Sequence, residues 1–256
     1  MSIKKIILII IVLFVIASAF MSLKWRNISV IDKVTVSGNY TVSRDEILSA
    51  ARIKDTIKDE EEIDIDKIQD RIMKHPELKK VFVSKVLPSE LKIEVIEKRP
   101  LAIISGDNEM KLIDDELDVF PFKNSNKLYD LPVISGVRIE SSPNQKNRYN
   151  KEDLRLGLFI IINAYKESKA MYNNISEINL SDSGKVIIYL SEDSSPFYFP
   201  RNNSAKISDT EYQNLLINKL RVFDSYIKQS LDNHLKKQIN YVDLRYSNQI
   251  LVNSNN

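Results

Sequence analysis

The sequence predicts an α+β protein: one N-terminal transmembrane helix, then a β-α-α-β-β domain, then a mixed antiparallel-sheet domain with two longer helices. Three observations predict it. Leu91, Ile93 and Val95 alternate with Lys92 and Glu94, the period of two that a half-buried strand requires. Tyr212, Leu216, Leu220, Phe223 and Ile227 recur at helical spacing. Short strand-like runs are divided by turn signals such as Gly106-Asp107-Asn108 and Ser183-Gly184.

The N-terminal element rests on composition. After Lys4 and Lys5, residues 6–23 carry no charge, and Lys24, Trp25 and Arg26 follow. Eighteen residues at 1.5 Å each make roughly 27 Å, enough to cross a hydrocarbon core, and Trp25 suits the interfacial aromatic belt. A cleaved signal peptide competes, because Ala17-Ser18-Ala19 has the small-x-small form of a cleavage site. The apolar run continues past it through Phe20, Met21 and Leu23, which favours an uncleaved anchor. The flanking charges are nearly balanced. The short leading tail, residues 1–5, argues for a cytoplasmic N-terminus with the bulk translocated.

The rest is ordinary for a globular protein, 43% hydrophobic and 28% charged, and 256 residues suffice for two modest domains behind that helix. A formal charge of +2, with no basic stripe, argues against nucleic acid. The absence of cysteine excludes disulfides, thiolate metal sites and cysteine nucleophiles. His75 and His234 are the only histidines and are far apart in sequence. No phosphate-cradling glycine loop occurs, so no cofactor, metal or small-molecule substrate is expected.

The first domain, placed at 28–99, opens with a strand from Ile31 that ends at the Ser37-Gly38-Asn39 turn. Ser43 and Glu46 form a capping box for a helix through Ala51. The acidic run Asp55–Asp66 lacks the glycine a calcium loop needs and reads as a solvated loop. Asp64 caps a second helix, with Ile65, Ile68, Ile72 and Met73 at helical spacing, which ends before Pro76. His75 at that end reads as a half-exposed capping residue rather than a base or ligand. Then Val81 to Pro100 forms a hairpin turning at Pro88-Ser89, its first strand alternating less cleanly than its second. Pro100, which has no N–H to donate, stops the ladder and hands the chain to the next domain.

The second domain, placed at 100–252, starts with a hairpin, Ile103-Ile104 against Leu112-Ile113. Residues 138–150 are polar and read as a loop. Leu154, Leu158, Ile161, Ile162 and Tyr165 predict a helix over 153–165. Strands follow at 175–180 and 185–190. Pro196-Phe-Tyr-Phe-Pro200 is either an exposed docking patch or, as the two prolines favour, an edge strand. A helix over 209–227 and strands at 239–244 and 249–252 complete it, and residues 253–256 are a polar tail.

Several of these stretches form a recognisable series. Val34-Thr-Val-Ser-Gly-Asn39, Ser43-Arg-Asp-Glu-Ile47, His75-Pro76, Leu87-Pro-Ser-Glu-Leu-Lys-Ile93 and Glu97-Lys-Arg-Pro-Leu-Ala102 resemble a POTRA domain of the bacterial cell-division FtsQ/DivIB family. Leu112-Ile-Asp114, Val119-Phe120, Leu131-Pro-Val-Ile-Ser-Gly136 and Tyr241-Val-Asp-Leu-Arg-Tyr246 continue the likeness in the family's order. There are departures. Leu117-Asp118 stands where the family usually has a glycine. Phe197-Tyr-Phe-Pro-Arg-Asn202 replaces a glycine-containing strand, and the cytoplasmic tail is only about five residues.

The resemblance implies a non-enzymatic bitopic scaffold of the bacterial inner membrane, with most of the chain extracytoplasmic. It would link early and late division proteins at the septum, with the bilayer, FtsB and, through FtsB, FtsL as partners. A second class is a POTRA-bearing envelope transport or outer-membrane assembly component. That class carries repeated POTRA units and a barrel, and this sequence offers one unit and no series of ten-residue alternating strands. A third is an envelope hydrolase, but His234 with Asp232, or Asp114 with Asp115, lacks a nucleophile elbow or oxyanion element.

The partner-binding residues are expected at the C-terminal strand: Tyr246, Gln249, Ile250, Leu251 and Val252. Val242, Leu244 and Tyr246 share one face of a strand, Ser247-Asn248 signals a tight turn, and 249–252 folds back as a terminal strand. No charge or proline blunts that edge. In the resembled family this end of the outer domain binds FtsB. The competing reading has Ile250 and Val252 buried, completing the core.

Overall fold

The computed structural model describes residues 3–26, 31–54, 64–106, 109–122, 129–142, 145–192, 195–202, 206–233, 239–247 and 249–254. Most of the acidic run, residues 55–63, and His234 lie outside the described residues. The chain divides into two compact units, Met1–Lys98 and Arg99–Asn256.

The first unit begins with α1 (Ile3–Arg26), one uninterrupted helix of 24 residues. Its described side chains, Ile6, Ile7 and Ile10–Met21, are all exposed. Among the described residues, no helix is long and apolar enough to cross a membrane.

A three-stranded sheet follows in the order β1-β3-β2, built from β1 (Lys33–Ser37), β2 (Leu78–Val86) and β3 (Glu90–Glu97). β1 runs parallel to β3, and β2 pairs with β3 antiparallel. Between β1 and β2 come α2 (Arg44–Ala51) and α3 (Ile65–Ile72). The capping box is present: Ser43 Oγ accepts from Glu46 N at 3.2 Å, and Ser43 N donates to the Glu46 carboxylate at 3.0 Å. Asp64 accepts from Lys67 N at 3.0 Å and starts α3. Ile47, Ala51, Ile68 and Ile72 pack on Val34, Val81, Val83, Leu91, Ile93 and Val95 as one core. Met73, expected on that stripe, is exposed because the helix has already ended there. In β2 Val81 and Val83 point inward while the apolar Phe82 and Val86 are exposed, which blurs its alternation in sequence, and a register shift lies earlier, between Leu78 and Lys80. Gly38 takes φ +82°, and a Cβ there would stand 2.1 Å from the Val95 carbonyl oxygen, so the turn admits only glycine.

The second unit holds a nine-stranded mixed sheet. Its strands are β4 (Ala102–Ser105), β5 (Met110–Ile113), β6 (Val119–Pro121), β7 (Val133–Ser135), β10 (Ile175–Asn179), β11 (Lys185–Leu190), β12 (Phe197–Pro200), β13 (Ile239–Asp243) and β14 (Leu251–Ser254). Their order is β14-β13-β12-β11-β10-β7-β4-β5-β6. The pairs β4–β7, β7–β10 and β12–β13 are parallel, so the sheet is less antiparallel than expected. Helices α4 (Lys151–Glu167) and α6 (Thr210–Asn233) are the two longer helices, with the short α5 (Lys169–Asn174) between them in sequence. Leu154, Leu158, Ile161, Leu216, Leu220 and Phe223 pack on Ile134, Ile178, Ile188, Phe197, Phe199 and Val242. Ile103, Leu112 and Phe120 form a smaller cluster with Phe122 and Tyr129. Ile104 and Ile113, their neighbours in the alternation, join the main core.

Three expectations are corrected. The segment 138–150 is not a loop but a separate ribbon, β8 (Ile139–Ser142) against β9 (Gln145–Tyr149). A two-stranded ribbon outside the main sheet needs no apolar face along its length, so its sequence carries no alternation. The segment 196–200 is neither an edge strand nor an exposed patch: β12 lies between β11 and β13, with Phe197 and Phe199 fully buried. Its prolines fit because Pro196 precedes the strand, where its carbonyl accepts from Val242 N at 3.0 Å, and Pro200 is its last residue. Asn253 and Ser254, set apart as a tail, continue β14 opposite Tyr241 and Ile239.

The departures from the family pattern also find their places. Leu117 adopts φ +64°, the left-handed conformation that a glycine would enter freely. Arg201, just after β12, has its side chain buried and donates to Asp153 at 2.7 Å, while Arg138 holds the same carboxylate at 2.8 and 2.9 Å. Burial opposes the charge on Asp153, but these hydrogen bonds and the two guanidinium charges outweigh it and hold its carboxyl below the ordinary range.

Candidate docking edge

The expected site lies at one end of the nine-stranded sheet. β14 is the terminal strand, paired on one side only, antiparallel to β13. Asp243 faces Leu251, Val242 faces Val252 and Tyr241 faces Asn253.

The hydrogen bonds of β13 establish which backbone groups of β14 face outward. Val242 N donates to Pro196 O at 3.0 Å and Leu244 N to Tyr198 O at 2.9 Å, both toward β12. Alternation then turns Tyr241 and Asp243 toward β14, where Asn253 and Leu251 oppose them. The N–H and C=O of Val252 therefore point away from the sheet. Val252 is the centre of the free edge, and Leu251 completes the internal ladder.

The side chains are as open as the backbone. Tyr246 is 44% exposed, Ile250 40%, Leu251 42% and Val252 48%, and Gln249 is exposed as well. Ile250 and Val252 thus do not complete the core. Tyr246 does not share the buried face of Val242 and Leu244, because β13 ends at Asp243 before reaching it.

Several contacts fix the turn that carries this edge. Asp243 accepts from Arg245 Nε at 2.9 Å, from its Nη2 at 2.6 Å and from its backbone N at 3.0 Å. Burial works against the Asp243 charge, but the bonds from Arg245 outweigh it and keep its carboxyl below the ordinary range. Lys219, 6% exposed, reaches from α6 to donate to the Tyr246 carbonyl. Burial lowers the Lys219 pKa, and nearby Asp243 partly restores it. Tyr241 stacks on Tyr198 with centroids 5.2 Å apart, Lys185 Nζ sits 3.9 Å from the Tyr198 ring, and Asn240 bonds Asn253 at 2.8 Å. Sequence reasoning missed Lys219, although a lysine flanking the apolar stripe of Leu216, Leu220 and Phe223 is itself a signal.

Of the candidate catalytic groups, the described ones take local structural roles. Asp114 is buried and accepts from Glu116 N and Asp118 N at 3.0 Å each, closing the turn that holds Leu117. Asp115 is exposed in that turn, and the Asp232 side chain, like His234, lies outside what is described. His75 follows α3 and its Nδ1 accepts from Glu77 N at 3.4 Å. Among the described residues, no group of three or more His, Asp or Glu could hold a metal ion.

Comparison with known proteins agrees with this architecture. Residues 29–98 match the family model "POTRA domain, FtsQ-type", and residues 102–245 match "Cell division protein FtsQ/DivIB, C-terminal". The chain is 25% identical over 241 residues to the cell division protein FtsQ of Koribacter versatilis, covering 92% of this chain and 64% of that protein. It is 24% identical over 222 residues to the FtsQ proteins of Geotalea daltonii and of Syntrophotalea carbinolica, covering 87% of this chain and 74% and 73% of theirs. The chain thus spans somewhat less than two thirds of the length of the Koribacter relative. With a three-stranded α/β unit matched by one model and eight of the nine strands of the larger sheet, all but β14, by the other, the chain belongs to the FtsQ/DivIB family of cell division proteins.

Proposed function

We propose that this protein is a non-enzymatic divisome scaffold that captures a partner by adding one of the partner's strands to β14. The observation that carries the reading is the free edge itself: outward main-chain groups at Val252, flanked by exposed Tyr246, Gln249, Ile250 and Leu251. An added strand gains main-chain hydrogen bonds for affinity, and alternate side chains on either face supply selectivity. FtsB, with FtsL joined through it, is the partner the family resemblance favours.

In this reading α1 crosses the inner membrane over 6–23, with residues 1–5 in the cytoplasm. The domains at 28–99 and 100–252 work outside it, at the septum. The uncharged run of eighteen residues and the exposed side chains of α1 support the anchor.

Two proline variants test the edge. Val252→Pro removes an outward donor and leaves the ladder to β13 intact, so the chain should fold, melt near wild type and lose capture of co-expressed FtsB. Leu251→Pro removes a donor facing β13 and should loosen β14 itself. Wild-type capture by a folded Val252→Pro chain would place the partner elsewhere. A tagged chain should also form a midcell band in dividing cells.

A further inference from the structure

We infer that the β2–β3 hairpin tip is a second, peripheral membrane contact, in which Leu87 enters the interface of the bilayer that α1 crosses. The inference rests on the reading of α1 as an anchor. The tip is apolar where a solvated turn would be polar: Leu87 is 83% exposed, Val86 before it 42%, and Pro88 after it is exposed too. One exposed leucine would need no explanation, but three consecutive apolar residues at the end of a hairpin form a wedge.

The position of the tip supplies the partner. β1 enters the sheet beside this turn: Asp32 N donates to the Ser89 carbonyl at 2.9 Å, Lys33 N reaches it at 3.4 Å, and Lys33 Nζ lies 3.7 Å from Glu90. Only four residues, five Cα steps, separate Arg26, the last of α1, from Ile31. Five steps extend at most about 18 Å, and the few residues to Leu87 add on the order of 10 Å. Whatever path the connection takes, the tip is therefore held within roughly 30 Å of the helix end. The far end of β1, toward Gly38 and Tyr40, stands about 17 Å farther along the strand. Lys33 stands beside the wedge with an exposed side chain, suited to a phospholipid phosphate. A bilayer is thus the apolar partner that the tether keeps within reach of this tip. Its contact would fix how the domain stands on the membrane.

The test uses the native lack of cysteine. Single thiols at Lys85→Cys, Tyr40→Cys and Val12→Cys are labelled with an environment-sensitive fluorophore in the full chain. Each labelled chain is reconstituted into nanodiscs of phosphatidylethanolamine and phosphatidylglycerol that contain a spin-labelled lipid as quencher. Lipid quenching should be strong at position 12, several-fold stronger at 85 than at 40, and should fall to the position-40 level when Leu87→Asp is added to Lys85→Cys. Quenching at 12 with equal, weak quenching at 85 and 40 would overturn the contact and leave the anchor standing. Quenching at 85 that ignores Leu87→Asp would also overturn it, as proximity imposed by the tether alone. Absence of quenching at 12 would reject the anchor and this inference with it.

Discussion

Glu97 gathers donors from three consecutive residues. Tyr40 N and Val42 N reach it at 2.8 Å, Thr41 N at 2.9 and 3.0 Å, and the Thr41 hydroxyl at 2.5 Å. Partial burial opposes its charge, but these bonds outweigh it and hold the carboxyl below the ordinary glutamate value of about 4.5. A carboxyl depressed in this way stabilises the fold fully above its unfolded pKa, and that contribution fades as pH falls through the lower folded value. Glu97→Gln should therefore cost about 1–2 kcal/mol near neutrality, the lower part of the range for charged hydrogen bonds because the site is partly exposed. The gap between variant and wild type should close as pH drops below 4.5, and urea melts at several pH values measure it. Sequence patterns displayed Glu97 only as a motif member. Its partners lie more than fifty residues away, whereas the Ser43–Glu46 box closes within one turn and is legible at sight. Leu117 shows the opposite limit: nothing in its chemistry announces a positive φ, and only the family comparison marked the position.

At the scale of elements, long amphipathic stretches were legible and lateral order was not. The α6 stripe of Tyr212, Leu216, Leu220, Phe223 and Ile227 is buried throughout, because one helix face must meet one sheet face. The same logic locates a critical contact. Phe223 is fully buried, its ring 4.8 Å from Phe197 and 5.4 Å from Phe199. Phe223→Ala should cost about 3–5 kcal/mol by removing that volume from between helix and sheet, a loss denaturant melts would read directly. Which strand lies beside which, by contrast, depends on pairings between distant segments. β12 comes to lie beside β13, about forty residues later, and the Phe-Tyr-Phe run flanked by prolines gives no sign of it. The docking edge was partly legible for that reason. The turn signal at Ser247-Asn248 foretells that β14 returns against β13, but whether Ile250 and Val252 bury depends on what else reaches that edge, and among the described residues nothing does.

At the scale of the whole molecule, α1 itself bears on whether the N-terminus stays attached. The small-x-small form Ala17-Ser18-Ala19 is the strongest sign of a cleavage site. In the structure these three residues lie inside one continuous helix that runs on for seven residues past Ala19, and Ser18 Oγ donates to the Val15 carbonyl at 3.0 Å as a helical side chain does. A peptidase that draws its substrate into an extended conformation must first unwind this turn. In hydrocarbon, freed backbone N–H and C=O groups cost several kcal/mol each, so unwinding is opposed as long as the segment spans the bilayer. In a spanning α1, the apolar residues after Ala19, Phe20, Met21 and Leu23, would draw the candidate site farther into the hydrocarbon and away from the interface. The protein extracted from membranes should therefore retain its N-terminus, with an intact mass near 29.6 kDa. A mass short by residues 1–19 would show that the helix is a removed leader. The outer units would then be soluble, and both the membrane anchor and the hairpin-tip contact would fail together.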